Sequence, residues 1–265
     1  MNIKGFQFKV QFGDVEANIA KVKALFAKND LQDTDVVVLP EMWTTGYDLK
    51  NIETHACRNL EPAQSVISEL AVKYDVNIVA GSVANSKDDK HKVCNTAFVV
   101  NRSGTLVYEY SKIHLVPMLN EPKYLTGGTE KTETFELDGE TCGVVICYDL
   151  RFPELFRDLA LKGAETIFVV AEWPLPRQKH WETLLAARAI ENQCYIIGVD
   201  TYGEIEADTF AGRSVIIGPF GELVDEADTH SETVITGTSD GDEVKRIRKD
   251  VPIFDSRKRD MYHFL

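Results

Sequence analysis

Apolar positions along the chain fall into two rhythms that alternate. In 15–29, "VEANIAKVKALFAKN", the residues Ile19, Val22, Leu25 and Phe26 recur at three- and four-residue spacing, which predicts a helix with one buried face. Asp14 stands just before it with the short acceptor side chain of an N-cap. A second helix is predicted over 61–75, "EPAQSVISELAVKYD", with Pro62 in its first turn and Val66, Ile67, Leu70 and Ala71 facing inward. Two more are predicted over 153–162 and 180–193. Between them lie short runs, apolar but without a helical period: "DVVVLP" (35–40), "VNIVAGSV" (76–83), "ETIFVVAEW" (165–173) and "CYIIGVD" (194–200). The segment "KGFQFKVQF" (4–12) alternates as a half-buried strand. Turn residues predict hairpins at Asn101–Gly104, at Asp138-Gly139 and around "GPFGEL" (218–223).

Strands mixed with helices and hairpins imply a mixed sheet with helices packed outside it. Runs such as VVVL and IFVVA are apolar at every position, so both faces must be covered. Helices can cover one face and a second sheet the other, which gives a layered α/β sandwich. No repeat, low-complexity stretch or Pro/Gly/Ser-rich linker divides the 265 residues, so a single domain over 1–265 is expected.

Composition narrows the partners. A formal net charge of −13 disfavours binding to a phosphate backbone, so no nucleic acid is expected. The basic run Lys245–Lys249 (KRIRK) reads as a solvated face or a set of salt bridges. No apolar run reaches the roughly 18 residues of a membrane span. The first residues lack the apolar core of a signal peptide, and a cytosolic location is expected. Five cysteines, an odd number with no C-x-x-C pair, form neither a disulfide framework nor a zinc spacing. The histidines show no ligand spacing either, and neither a metal nor an organic cofactor is expected.

Chemistry gathers at strand ends. Glu41 follows "VVVLP", Lys112 follows "LVYEYS", and Cys147 ends "GVVI", where "CYDLRFPE" should turn a strand into a helix. Ligands in α/β proteins sit beyond such carboxyl ends. A carboxylate can take the thiol proton, the thiolate can attack, and an ammonium can hold the negative charge of a tetrahedral intermediate. Cys142, an odd offset from Cys147 on one strand, faces the other way and cannot resolve a disulfide with it. Arg151 reads as a structural partner of nearby acids, and His114 as a neighbour of Lys112. Arg177, in a loop just past "IFVVAEW", is the better candidate for a substrate carboxylate.

The segments "VVVLPEMWTTGY", "YSKIHL", "VVICYDLRFPELFRDLALKGA", "WPLPRQKHWETLLAARAIENQCYI" and "SVIIGPFGEL" resemble, in that order, the nitrilase or carbon–nitrogen hydrolase superfamily. The run from Trp173 to Arg177 with His180-Trp181 is most similar to its omega-amidase branch. The resemblance implies an αββα sandwich. It further implies Glu41 as general base, Lys112 as oxyanion-stabilising cation and Cys147 as nucleophile. Glu121 and the backbone N–H of Tyr148 would support them, and Arg177 and Trp173 would bind substrate. It also implies a small amide substrate, such as 2-oxoglutaramate, and a homodimer.

The remaining branches are less consistent with the chain. A glutamine-dependent synthetase would need a further domain, and a lipoprotein acyltransferase needs membrane spans. True nitrilases follow the nucleophile with Trp-Glu, where this chain has Tyr148-Asp149. Hydrolases of N-carbamoyl amino acids or of deaminated glutathione stay open. A catalytically silent interaction protein on the same fold is disfavoured by the intact Glu41, Lys112 and Cys147.

Overall fold

A computed structural model describes residues 1–87, 91–206 and 208–262. The first half of the chain forms β1 (Asn2–Gln7), α1 (Val15–Lys28), β2 (Val36–Val38), β3 (Cys57–Arg58), α2 (Ala63–Tyr74), β4 (Asn77–Ser86), β5 (Val93–Val100) and β6 (Leu106–Ser111). There follow β7 (Phe135–Leu137), β8 (Glu140–Ile146), α3 (Pro153–Leu161), β9 (Thr166–Ala171), α4 (Gln178–Asn192) and β10 (Tyr195–Asp200). The chain closes with β11 (Tyr202–Ile205), β12 (Asp208–Ala211), β13 (Val215–Ile217), β14 (Leu223–Glu226), β15 (Thr233–Thr238) and α5 (Gly241–Asp250).

Two mixed sheets make the layers. One runs β15-β1-β2-β4-β5-β6, with β3 added beside β4; the other runs β14-β13-β10-β9-β8-β7. Strand parity decides what each residue meets. Val36 and Val38 point inward with Ile3, Val79, Ala97 and Val99, against the second sheet. Val37 points outward with Ile78, Phe98 and Val100, against Val22, Leu25 and Phe26 of α1 and Ile67, Leu70 and Ala71 of α2. Phe156 and Leu159 of α3 and Trp181, Leu185 and Ala189 of α4 cover the second sheet from outside. The expected layered α/β sandwich is therefore the observed one.

Several local expectations shift. The first strand is shorter than 4–12: the chain leaves the sheet at Phe8, whose carbonyl accepts from the Thr201 hydroxyl (2.8 Å). Pro62 stands one residue before α2. Arg177 is not in an open loop but ends a one-turn 3₁₀ helix, Leu175–Arg177, that runs straight into α4. The β11–β12 hairpin and β15 have no strong periodic signal, and α5 contains the run Lys245–Lys249 that the sequence reads only as a basic face. Asp240 caps α5 by accepting from the N–H groups of Asp242 and Glu243, and its basic run is tied down: Lys245 pairs with Glu165 (3.1 Å) and Arg248 donates to the Ala164 carbonyl (2.6 Å).

Strand direction positions the site. β1, β2 and β4 are mutually parallel, and two antiparallel steps through β5 give β6 the same sense. In the other sheet β8, β9 and β10 are parallel. The carboxyl ends of the two sets meet where the Glu41 N–H reaches the Ala171 carbonyl (3.4 Å). A bulge in β4 grips the segment carrying Glu41. The pairing of β4 with β5 slips between Val79 and Ser82, Gly81 adopts φ +59°, and Ser82 donates to the Pro40 carbonyl (3.2 Å). Ser82 then accepts from the N–H groups of Met42 and Trp43.

Only glycine fits at that bulge, since a Cβ on Gly81 would stand 1.9 Å from the Pro40 oxygen. Gly81→Ala should destabilise the protein by about 3 kcal/mol, through backbone strain and overpacking. Urea denaturation would read this as a lower midpoint, and an unchanged midpoint would contradict it.

Candidate active site

Lys112, one residue past β6, carries a fully buried ammonium. Its Nζ donates to Glu41 Oε1 (2.9 Å) and to Glu121 Oε1 (2.9 Å). Both carboxylates are fully buried as well, so the cluster is an ion triad closed off from bulk solvent. The remaining lone pairs are used. Glu41 Oε1 also accepts from Asn95 Nδ2 (2.7 Å), its Oε2 accepts from the Glu172 N–H (2.7 Å), and Glu121 Oε2 accepts from the Val116 N–H (2.7 Å). The Tyr47 hydroxyl lies between the acids, 2.7 Å from Glu121 Oε1 and 2.9 Å from Glu41 Oε1. A buried ion cluster needs this degree of pairing to offset its desolvation.

Cys147 sits on a tight elbow. β8 ends at Ile146, and the 3₁₀ turn Cys147–Arg151 leads to α3, whose first residue is Pro153. Cys147 itself adopts φ +47°, a left-handed conformation that a non-glycine residue keeps only when its surroundings hold it. Asp149 does much of the holding. Its Oδ2 accepts from the Ile146 N–H (3.2 Å) and the Tyr110 hydroxyl (2.8 Å), while its Oδ1 accepts from the His114 N–H (3.2 Å). The His114 ring, stacked on Phe152, is 2.8 Å from the same oxygen, so its partner is Asp149 rather than Lys112. The Cys147 thiol points toward the Glu172 carbonyl (3.9 Å).

Charge follows from these neighbours. Burial pulls the Lys112 ammonium toward its neutral form, but the charges of Glu41 and Glu121 more than reverse this and hold it well above the ordinary lysine range. Lys112 stays cationic. Burial, and then the Glu41 carboxylate, push the Cys147 thiol well up, with Lys112 pulling the other way. The resting thiol is therefore protonated, and a base must remove that proton during reaction. Burial and the two acids likewise keep Tyr47 a neutral phenol.

Around Cys147 a pocket opens, lined by Val116, Met118, Leu119, Tyr148, Arg151, Trp173, Pro174 and Arg177. Arg151 departs from expectation: no acid partners it among the described residues. Its guanidinium stands over Trp173 (4.8 Å) and Tyr148 (5.6 Å), 3.3 Å from His180 Nδ1. An arginine leaves its acids when aromatic faces supply the contact instead. Burial lowers its proton affinity, and the nearby positive charge of Arg177 adds to the effect. Trp173 is buried against Trp181 and donates its indole N–H to the Arg177 carbonyl (2.8 Å), which fixes the end of the 3₁₀ turn.

The structure thus gathers Glu41, Lys112, Glu121 and Cys147 and sets Tyr148, Trp173, Arg151 and Arg177 at one mouth. Sequence reasoning missed Tyr47, Asn95, Asp149 and Glu172. Asp149 had a readable signal, a carboxylate two residues past an apolar strand end; the others look like ordinary loop or strand polars. Among the described residues, no three His, Cys, Asp or Glu side chains are grouped as metal ligands. No helix among them is long and apolar enough to cross a membrane.

Comparison with known proteins agrees with this geometry. The carbon–nitrogen hydrolase family model matches residues 6–249, and the chain belongs to that family. It is 45% identical to a Staphylococcus aureus protein named "Hydrolase in agr operon", over 99% of this chain and 100% of that one. It is 41% identical to the 2-oxoglutaramate amidase of Bacillus subtilis, over 98% of each. Among solved structures, a carbon–nitrogen hydrolase superfamily protein from Xanthomonas campestris with an arsenic adduct in its active site superposes with a TM-score of 0.89 at 29% identity. That match covers 100% of this chain and 98% of the other.

Tyr47→Phe removes a donor shared by two buried carboxylates. It should cost about 1.5–3 kcal/mol of stability, the usual worth of a hydrogen bond to a charged group. Urea titration against the parent protein measures this directly, and equal midpoints would show the phenol to be dispensable.

Proposed function

We propose that the chain is an amidase of the omega-amidase type, hydrolysing the terminal amide of a small carboxylate-bearing substrate such as 2-oxoglutaramate. One observation carries the proposal. A fully buried ammonium–carboxylate cluster acts electrostatically on a thiol, Cys147, in a pocket edged by two arginines that have no acid partner among the described residues. The similarity to a 2-oxoglutaramate amidase supports the substrate class.

In this mechanism Cys147 Sγ attacks the amide carbon as its proton passes to Glu41. The carbonyl oxygen becomes an oxyanion, stabilised by the Lys112 ammonium and the Tyr148 backbone N–H. Glu41 returns the proton to the amide nitrogen, the C–N bond breaks, and ammonia leaves a thioester on Cys147. Water then attacks the thioester carbon and gives a proton to Glu41. Collapse of the second tetrahedral species expels the thiolate, which takes the proton back, and the product is a carboxylic acid. Glu121 positions Lys112, since it shares the ammonium and reaches no further donor than Tyr47 and the Val116 N–H.

Arg177 and Arg151 would hold the far carboxylate, with Trp173 as the platform between them. Two guanidiniums side by side repel each other, and an anion between them relieves that repulsion. The proposal includes assembly with a second copy of the chain. Exposed Ile190, Phe220 and Leu223, at the end of α4 and on the β13–β14 hairpin, provide an apolar patch for it.

Cys147→Ala should abolish ammonia release from 2-oxoglutaramate while keeping the circular dichroism of the parent, and Lys112→Ala should lower kcat by roughly 100-fold or more. Full activity in Cys147→Ala, or a Lys112→Ala effect confined to KM, would overturn these roles. Arg177→Met and Arg151→Met should each raise KM for 2-oxoglutaramate by about 10- to 150-fold, the worth of one charge-assisted hydrogen bond, and spare propionamide. Equal loss on both amides would make the arginines structural. A parent enzyme that prefers N-carbamoyl amino acids would replace the omega-amidase assignment with the carbamoylase.

A further inference from the structure

Glu172 follows β9, and its backbone touches both reacting groups. The N–H donates to Glu41 Oε2 (2.7 Å), and the carbonyl faces the Cys147 thiol (3.9 Å). Its side chain is fully buried, yet neither carboxyl oxygen has a hydrogen-bond partner among the described residues. A Cβ on Gly46 would lie 3.9 Å from Oε1, so the loop that follows Glu41 closes over this carboxyl. The charged groups acting on it are Glu41 after β2, Asp200 at the end of β10, Lys112 after β6 and Asp208 on β12. Tyr47, Glu121 and Cys147 stand behind Glu41 and Lys112.

Counting charge decides the protonation. Lys112 is the cation of this set, and it already serves Glu41 and Glu121. Asp200 at least accepts the Trp173 N–H at Oδ1 (2.7 Å). Among the described residues Glu172 has no hydrogen-bond donor, so an anion there would be uncompensated, and the proton settles on Glu172. Burial, with Glu41 and Asp200 adding to it, holds this carboxyl well above its ordinary 4.5.

We propose that Glu172 is a positioning residue whose side chain must stay protonated, and that its ionisation ends the reaction on the alkaline side. The proposal rests on Glu41, Lys112 and Cys147 acting as described above. The reaction builds negative charge on sulfur and on the carbonyl oxygen beside one ammonium. A second anion next to Glu41 opposes that charge and draws the Glu172 backbone, with its two contacts, out of place.

The test is the pH dependence of kcat/KM for 2-oxoglutaramate in the parent and in Glu172→Gln, a neutral isostere. The alkaline midpoint should move up by about one pH unit or more, as removal of a titrating buried carboxyl requires. The sign in stability is the same. A carboxyl whose folded proton affinity is raised drains stability as pH climbs above 4.5, so the parent should lose ground to Glu172→Gln through that window. Infrared titration of the parent alone should show a buried carboxylic-acid C=O band at neutral pH that disappears as activity falls. Superimposed pH profiles, or no such band at neutral pH, would overturn the proposal. An active Cys147→Ala would instead overturn the mechanism beneath it, so the two failures are distinct.

Discussion

A buried ammonium must be neutralised where it stands, and that constraint organises this molecule. Lys112 is fully buried from solvent. Two carboxylates from different loops therefore have to reach it, each satisfied in turn by donors of its own. Removing either acid would strand a charge in a low-dielectric interior, at a cost of about 3–5 kcal/mol. Burial, and then the charge of Glu41, keep the nearby Cys147 thiol protonated until a substrate arrives, with Lys112 pulling the other way.

The sandwich meets this constraint by bringing parallel strand ends together. Glu41 and Lys112 come from one sheet, Cys147 and Glu172 from the other, and the face between the sheets is closed by alternating valines, isoleucines and alanines. Packing holds the sheets in register, so the base and the nucleophile need not be close in sequence. The β4 bulge and the Cys147 elbow both take the backbone out of ordinary geometry, and each sits beside a reacting group. Strain of this kind persists only where the surroundings over-determine it, and here Ser82 and Asp149 do so with hydrogen bonds.

At the mouth, chemistry is more open. The Arg151 guanidinium lies over the Trp173 and Tyr148 rings, and no salt bridge to an acid holds Arg151 or Arg177 among the described residues. In a chain with net charge −13, a local pair of cations also counters the repulsion that an anionic substrate meets on approach.

The sequence by itself determined the elements with strong local periodicity: α1 with its Asp14 cap, the outward and inward faces of β2, and the hairpins at Asn101–Gly104 and Asp138-Gly139. It also singled out Glu41, Lys112 and Cys147, because each stands at the end of an apolar run, while Glu121 came only from the family resemblance. Periodicity is a local signal, so short or irregular pieces such as β11, β12 and β15 left little trace. Partner choice was decided only by the tertiary structure. Glu41 and Lys112 are 71 positions apart, and nothing local says that Tyr47 lies between two acids or that Arg151 stacks on Trp173 instead of pairing with an acid. Nor does the "AEWP" of a buried strand end reveal that Glu172 has no donor. Burial and hydrogen bonding depend on what the rest of the chain packs against a residue, and that is settled only once both sheets have closed.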